Sequence, residues 1–205
     1  MARFEIRPYQ AADLTTLYRI CLLTGDQGLD ASAQYSDPQL IGHVYAGPYA
    51  VLEPDSCYVL TQDGQVVGYV IGAPDSARFH ARCEESWFPS LRRRYPMPAE
   101  QDRSAEAQMI RALHRGHPPL PDTAGYPAHV HIDLLPEAQG LGWGRRLMQT
   151  LLDDFTRRSV PGVHLGVSAG NQRGLAFYRQ TGWRRLSLQD WGEVLGQRLP
   201  VVSHT

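Results

Sequence analysis

The sequence predicts an α/β fold, a mixed and mostly antiparallel sheet flanked by helices. Three observations carry that prediction. The second half alternates apolar strand patterns with amphipathic helix patterns: His129 to Leu135, Leu141 to Arg158, Val163 to Ser168 and Gln172 to Thr181. That order calls for right-handed crossovers within one sheet. Further back, the apolar runs Cys57 to Thr61 and Val66 to Ala73 are joined by Gln62-Asp63-Gly64-Gln65. An Asp-Gly pair between such runs signals an antiparallel hairpin. Between the halves, residues 74–127 carry eight prolines and sustain neither periodicity for long. They read as a helical insertion of two or three short helices, too proline-rich for a separate core, within a single domain over residues 1–205.

The elements follow in order. Phe4 and Ile6 alternate with Arg3, Glu5 and Arg7, a strand pattern that Pro8 stops. An alternating start is not a signal peptide. Asp13 is placed to cap a helix carrying Leu14, Leu17, Tyr18 and Leu22 at helical spacing. Gly25 to Ser36 reads as a loop. Asp37-Pro38 restarts a helix, with Asp37 as N-cap and Pro38 at the first helical position. In the insertion, Trp87 and Phe88 read as local core, and Arg92-Arg93-Arg94 as a solvated helix face. A further helical pattern lies near Ser104 to His114. Later, Leu147, Met148, Leu151, Leu152 and Phe155 mark an inward helix face, and Gly182 takes the C′ position after Thr181. Trp183 to Gln189 and Glu193 to Pro200 form two closing strands, with a turn at Asp190 to Gly192.

Composition excludes several partners. The 205 residues hold 42% apolar and 20% charged side chains, ordinary for a globular protein, and the formal net charge is −1. Nothing here attracts a polyanion, so nucleic acid is not expected. No apolar run approaches the ~20 residues needed to cross a bilayer. Cys21, Cys57 and Cys83 are widely spaced and odd in number, which points to reduced thiols and a cytoplasmic protein. No Cys/His cluster has zinc-ligand spacing, so no metal is expected.

The chemistry concentrates in Gln139-Gly140-Leu141-Gly142-Trp143-Gly144-Arg145, between a strand pattern and a helix. Three glycines in five residues let the backbone aim several N–H groups at one point. The helix N-terminus behind them adds unpaired donors and positive partial charge. Such a loop cradles phosphate or pyrophosphate. It is neither a dinucleotide fingerprint, which needs G-x-G-x-x-G near a first strand, nor a Walker loop, because Arg145 stands where Lys would. Taken alone, it also reads as a glycine-rich turn that binds nothing.

Two further features bear on that choice. Pro136 ends the strand just before the loop, and about thirty residues later comes Asn171-Gln172-Arg173-Gly174-Leu175-Ala176-Phe177-Tyr178-Arg179-Gln180-Thr181-Gly182-Trp183. The pair resembles motifs A (Q-x-x-G-x-G) and B (N-x-x-x-x-x-F-Y-x-x-x-G-W/F) of the GCN5-related N-acetyltransferase (GNAT) superfamily. Phe4-Glu5-Ile6-Arg7-Pro8-Tyr9, Val67-Gly68-Tyr69-Val70-Ile71-Gly72, Ser86-Trp87-Phe88-Pro89 and Val194-Leu195-Gly196-Gln197-Arg198-Leu199 are similar to the branch that includes the C-terminal acetyltransferase-like domain of animal O-GlcNAcases. The resemblance implies a sheet splayed at its centre and acetyl-CoA as co-substrate. It implies that backbone N–H groups from Gln139 to Arg145 (Gln139, Gly140, Leu141, Gly142, Trp143, Gly144, Arg145) bind the pyrophosphate. Leu134 and Leu135 would pair with the pantetheine arm, and Asn171 would hold the pantetheine or adenine side. Tyr178, which also touches the cofactor, would protonate the departing thiolate. The glycoside hydrolase activity of that branch is not implied, because the chain is too short to hold a hydrolase domain as well.

Acetyl transfer to an amine also needs a proton acceptor. The resemblance puts a Glu near position 128, where Ala128 stands. His129, His131 and Asp133 share one strand face by the period of two. Asp133 lies nearest the expected thioester and is the leading catalytic candidate, followed by His131; a hydrogen-bonded structural carboxylate is the alternative for Asp133, and a plain strand histidine for His131. The Tyr178 ring has a packing alternative too. Three functions follow: an N-acetyltransferase acting on a small-molecule or peptide amine by direct attack in a ternary complex, an acetyl-CoA-binding module without transfer, and an assembly domain that forms a homodimer through its insertion.

Overall fold

The strands are β1 (Phe4–Pro8), β2 (Cys57–Gln62), β3 (Gln65–Ala73), β4 (Ala128–Leu134), β5 (Gly162–Ser168), β6 (Arg184–Gln189) and β7 (Gly192–Arg198). In the computed structural model, which describes residues 2–200, they form one sheet in the order β1-β2-β3-β4-β5-β7-β6. All neighbours are antiparallel except β4 and β5. The helices are α1 (Leu14–Leu23), α2 (Leu40–Tyr45), α3 (Gly47–Leu52), α4 (Ser76–Arg82), α5 (Phe88–Arg94), α6 (Ala105–Arg115), α7 (Trp143–Arg157) and α8 (Gln172–Gln180). The expected hairpin is β2–β3. Asp63 (φ 50°) and Gly64 (φ 84°) both adopt left-handed backbone, as a type I′ turn requires.

β3 lies at the middle of the core and is buried from Val67 to Ala73. Its two faces explain why it does not alternate in polarity. Tyr69 on one face meets Cys21 of α1, and Gly72 on the other comes against Leu151 and Phe155 of α7. A strand covered on both sides reads as a continuous apolar run. The inward face of α7 is the one the helical spacing marks: Leu147, Met148, Leu151, Leu152 and Phe155 are all buried. The three cysteines are free and buried. No helix among the described residues is long and apolar enough to cross a membrane.

The sheet splays at its centre. β4 and β5 pair only at Ala128–Val163 and His129–His164. Beyond that point β5 stays paired with β7 as far as Ser168, and β4 with β3 as far as Leu134. The two central strands therefore part company toward their C-terminal ends, each still held by its outer neighbour.

Two helix starts differ from the sequence reading, each because a carboxylate has a stronger partner. Asp13 does not cap α1. Both its oxygens accept from the Arg7 guanidinium (2.7 and 2.8 Å), and Oδ2 also accepts the Gln10 N–H (2.8 Å). A bidentate charge-assisted pair outweighs a single capping bond, and it holds the Asp13 carboxyl below its usual range. Asp37 accepts the Gln39 N–H through Oδ1 (2.9 Å), but its Oδ2 takes Arg94 (2.8 Å) and the Tyr95 hydroxyl (2.7 Å). Helix α2 begins at Leu40, two residues after Pro38.

Between β3 and β4, α4 continues into α5 through a π-helical turn at Cys83–Trp87. Phe79, Cys83 and Phe88 are fully buried and join the main core, whereas Trp87 is half-buried and donates its indole N–H to His43 O (2.9 Å). The arginine run divides. Arg93 is exposed, Arg92 pairs with both Glu84 oxygens (2.7 and 2.8 Å) over the Phe88 ring, and Arg94 reaches Asp37.

Candidate active site

The parting of β4 and β5 opens a cleft of about 700 Å³. One wall is the free edge of β4. The Leu135 N–H donates to Val67 O (2.8 Å), so that residue points its polar groups at β3. Backbone direction alternates along a strand, so Ile132 and Leu134 turn theirs toward the gap. Of the two residues expected to pair with a pantetheine arm, Leu134 is on the cleft. Leu135 is buried behind it, and Ile132 occupies the equivalent place. The Leu134 carbonyl already accepts from Gln139 Nε2 (2.7 Å), which ties the glycine loop back to the strand.

The cradle is built by two glycines in left-handed conformation, Gly140 (φ 74°) and Gly142 (φ 80°). Gly142 is the N-cap of α7, two residues later than the helix pattern suggests. The first-turn N–H groups of Trp143, Gly144 and Arg145 have no intrahelical acceptor and carry the positive end of the helix dipole. Nothing lies within 4 Å of where a Cβ at Gly140 or Gly142 would stand. Gln139, Gly140, Gly142, Gly144 and Arg145 line the cleft. Leu141 is 59% exposed, and the Trp143 ring stacks on Phe4 (5.3 Å), so these two contribute backbone only. A second helix end faces the same space. Asn171 caps α8 by accepting the Gly174 N–H at Oδ1 (2.8 Å), and Asn171 and Arg173 both line the cleft. Two helix N-termini and two arginines thus suit an anion. Gly142→Val is expected to weaken acetyl-CoA binding at least tenfold in calorimetry, because a β-branched residue strains a left-handed φ and fills the open side of the cradle.

Away from the cradle, the lining changes sign. Asp133 sits on β4 opposite Tyr69 of β3, whose hydroxyl donates to Asp133 Oδ2. Thr24 lies beside it and gives its own hydroxyl proton to Ile20 O (2.8 Å). Burial pushes the Asp133 carboxyl up to about 6, against the lowering effect of the Tyr69 hydrogen bond. It is therefore ionised at neutral pH but able to take a proton, the range a general base needs. Tyr178 of α8 is on the cleft as well. Its ring packs edge-on against Trp183 (5.5 Å) and Phe177 (5.2 Å). Among the described residues its hydroxyl has no hydrogen-bond partner and is not sealed from solvent. Burial, and secondarily the charge of Asp133, raise its pKa and keep the phenol protonated. Packing and an available hydroxyl coexist at this residue.

His131 does not line the cleft. It points to Tyr49, whose hydroxyl lies 3.1 Å from Nε2. His129 is buried against the same hydroxyl (2.7 Å), and Ala128 is fully buried where β4 and β5 still pair. Among the described residues no group of three or more His, Cys, Asp or Glu is placed to hold a metal ion.

One wall of the site carries no motif in the sequence. Residues Thr24 to Leu29, after α1, cross the gap, and Gln27 (φ 55°) lays its amide against Gly170 in the β5–α8 loop. Asp26 and Leu29 exchange backbone hydrogen bonds (2.9 and 2.8 Å), which closes this loop on itself. Sequence reasoning marks this stretch only as loop. Tyr69 was readable in principle, since aligning the β3 and β4 patterns sets it opposite Asp133.

A splayed sheet with a glycine-rich helix start at the gap defines an acetyltransferase fold of the GNAT type. The chain belongs to the Acetyltransferase (GNAT) family, which matches over residues 26–183. It is 29% identical over 182 residues to "Protein O-GlcNAcase" of Rattus norvegicus, covering 87% of this chain and 20% of that protein. The chain thus spans about a fifth of the length of that curated relative. Among solved structures it is similar to SsHAT, at 38% identity and a TM-score of 0.89, covering 95% of this chain and 98% of the other. The PaiA N-acetyltransferase of Thermoplasma acidophilum, solved in complex with coenzyme A, shares the fold at 13% identity and a TM-score of 0.59, over 96% and 99% of the two chains.

Proposed function

We propose that this protein transfers the acetyl group of acetyl-CoA to an amine by direct attack in a ternary complex. The observation that carries this reading is the division of one cleft into two chemical ends. Two helix N-termini with Arg145 and Arg173 stand at one end, and an available tyrosine hydroxyl with an ionised, partly buried carboxylate stands at the other. When bound, acetyl-CoA supplies the activated acyl group. The chain's own groups do the rest. The α7 and α8 N-termini hold the phosphates, and Ile132 and Leu134 align the pantetheine arm as an added strand. Asp133 draws a proton from the amine nitrogen, and Tyr178 gives one to the departing sulfur. Residues 74–127 belong to this reading as an insertion within one domain.

A screen of amines, amino sugars and peptides, followed by release of free thiol, tests the proposal. Transfer to at least one acceptor supports it. The rate should rise through about pH 6 as Asp133 ionises. Asp133→Asn should lower turnover by about 10² or more and remove that limb, since a positioned base contributes about 10² to 10⁴. A second reading, an acetyl-CoA-binding module without transfer, is favoured by Ala128, a buried methyl where the family resemblance implies a glutamate. Tight binding with no acceptor acetylated would select it.

A further inference from the structure

Behind Asp133 runs a chain of four side chains whose protons can be assigned from geometry. Ser76 Oγ lies 2.7 Å from the Pro127 carbonyl, which can only accept, so the single hydroxyl proton of Ser76 points there. Ser76 Oγ also lies 2.7 Å from His129 Nδ1, and with its proton already committed it must accept. His129 therefore carries Nδ1–H. Burial keeps this imidazole neutral, so its Nε2 is a bare lone pair. The Tyr49 hydroxyl, 2.7 Å away, must donate to it. The Tyr49 oxygen can then only accept from His131 Nε2, at 3.1 Å. His131 is neutral for the same reason, so its Nε2 is protonated and its Nδ1 is not. Nδ1 makes no hydrogen bond among the described residues and is not sealed from solvent. Two neighbouring histidines on one strand face are thus locked in opposite tautomers by one tyrosine.

We propose that Tyr49 is a positioning residue that fixes His131 as the Nε2–H tautomer, and that His131 Nδ1 is the second proton acceptor of the transfer site. The inference rests on the acetyl-transfer reading above. Two protons leave the nitrogen, and a second acceptor beside Asp133 would take one of them. An ammonium acceptor loses two protons in becoming an amide nitrogen: two N–H bonds break, one C–N bond forms and the C–S bond breaks. One proton ends on the coenzyme sulfur and the other goes to water. Asp133 accepts one of the two from nitrogen. His131 stands on the same face of β4, one strand repeat of ~7 Å away, within reach of a single bridging water. The groups facing His131 are Tyr49 of α3, Tyr45 of α2 (5.8 Å) and His129 on its own strand (6.2 Å). Behind His129 stand His164 of β5, His80 of α4 and His117. None of these neighbours supplies a negative charge; Asp133, two residues along β4, is the carboxylate on the same face.

Long-range ¹H–¹⁵N spectra of the imidazole nitrogens in the full chain test this directly. At pH 7 His131 should show a protonated Nε2 and a bare Nδ1, and His129 the reverse. Tyr49→Phe keeps the ring that stacks on Phe79 (4.4 Å) and should leave His131 as a mixture of tautomers. Ser76→Ala, at the outer end of the chain, should release His129 in the same way. With an acceptor in hand, Tyr49→Phe should lower kcat about tenfold without changing acetyl-CoA affinity, while the limb near pH 6 set by Asp133 stays in place. Nδ1–H on His131 in the wild type would overturn this proposal alone. The expected tautomers together with no transfer to any amine would overturn the acetyl-transfer reading, and the acceptor role of His131 with it.

Discussion

Tyr178→Phe should lower acetyl-transfer turnover by about 10² to 10⁴, the range for loss of one general acid, while acetyl-CoA affinity stays within about twofold of wild type. The geometry separates the two effects. The Tyr178 ring holds its place through edge contacts with Trp183 and Phe177, and phenylalanine keeps both. Its hydroxyl has no partner among the described residues, so removing it strands no buried donor or acceptor. Thermal stability should therefore hardly change. The phenol is kept protonated by burial and by Asp133, the state needed to give a proton to a thiolate. Single-turnover kinetics beside a calorimetric titration measure both quantities in one variant. Wild-type turnover in Tyr178→Phe would remove the acid role and leave only the packing role.

Acid should destabilise the fold above the range in which ordinary carboxylates titrate. His80, His117, His129, His131 and His164 form one contiguous cluster under β4, with ring centroids 5.3 to 6.2 Å apart. Burial lowers the pKa of all five, that of His131 to about 4 and that of His117 to about 3. The unfolded chain then binds protons from about pH 6.5 downward while the folded chain does not. Stability is full above that pH and falls as pH drops toward the folded values. For His131 alone, a displacement from 6.5 to about 4 corresponds to about 3 kcal/mol at ~1.4 kcal/mol per unit. Asp133 works the other way. Its raised pKa makes the folded state gain protons between about pH 6 and 4, but it is one group against five. Urea midpoints at pH 7.5 and pH 5 should differ clearly, with the lower value at pH 5. Equal midpoints would mean that the cluster is already charged in the folded protein.

Much of this was legible because local rules decided it. The Asp63-Gly64 turn fixes β2–β3, the 3.6-residue spacing fixes the buried face of α7, and the glycine loop marks the cradle. What stayed hidden was decided by partners far away in sequence. Asp13 looks like a helix cap until Arg7 folds beside it. The π-helical turn at Cys83–Trp87 fuses α4 and α5 across Pro89, a proline that periodicity reads as a break. Ile132 rather than Leu135 faces the gap because β4 registers with β3 in one of two phases, and only the Leu135–Val67 bond tells which. The Thr24–Leu29 wall and the Ser76–His129–Tyr49–His131 chain join residues from separate elements, and no spacing rule reaches across such distances.

If acetyl-CoA binds in the gap between β4 and β5, an amide NMR titration of the ¹⁵N-labelled chain with it will report the contact residue by residue. Saturable shifts should concentrate at Ile132, Leu134, Gly140 to Arg145 and Asn171, and be lost in Gly142→Val. Absence of saturable shifts, or shifts confined to residues outside the cleft, would contradict binding in the gap.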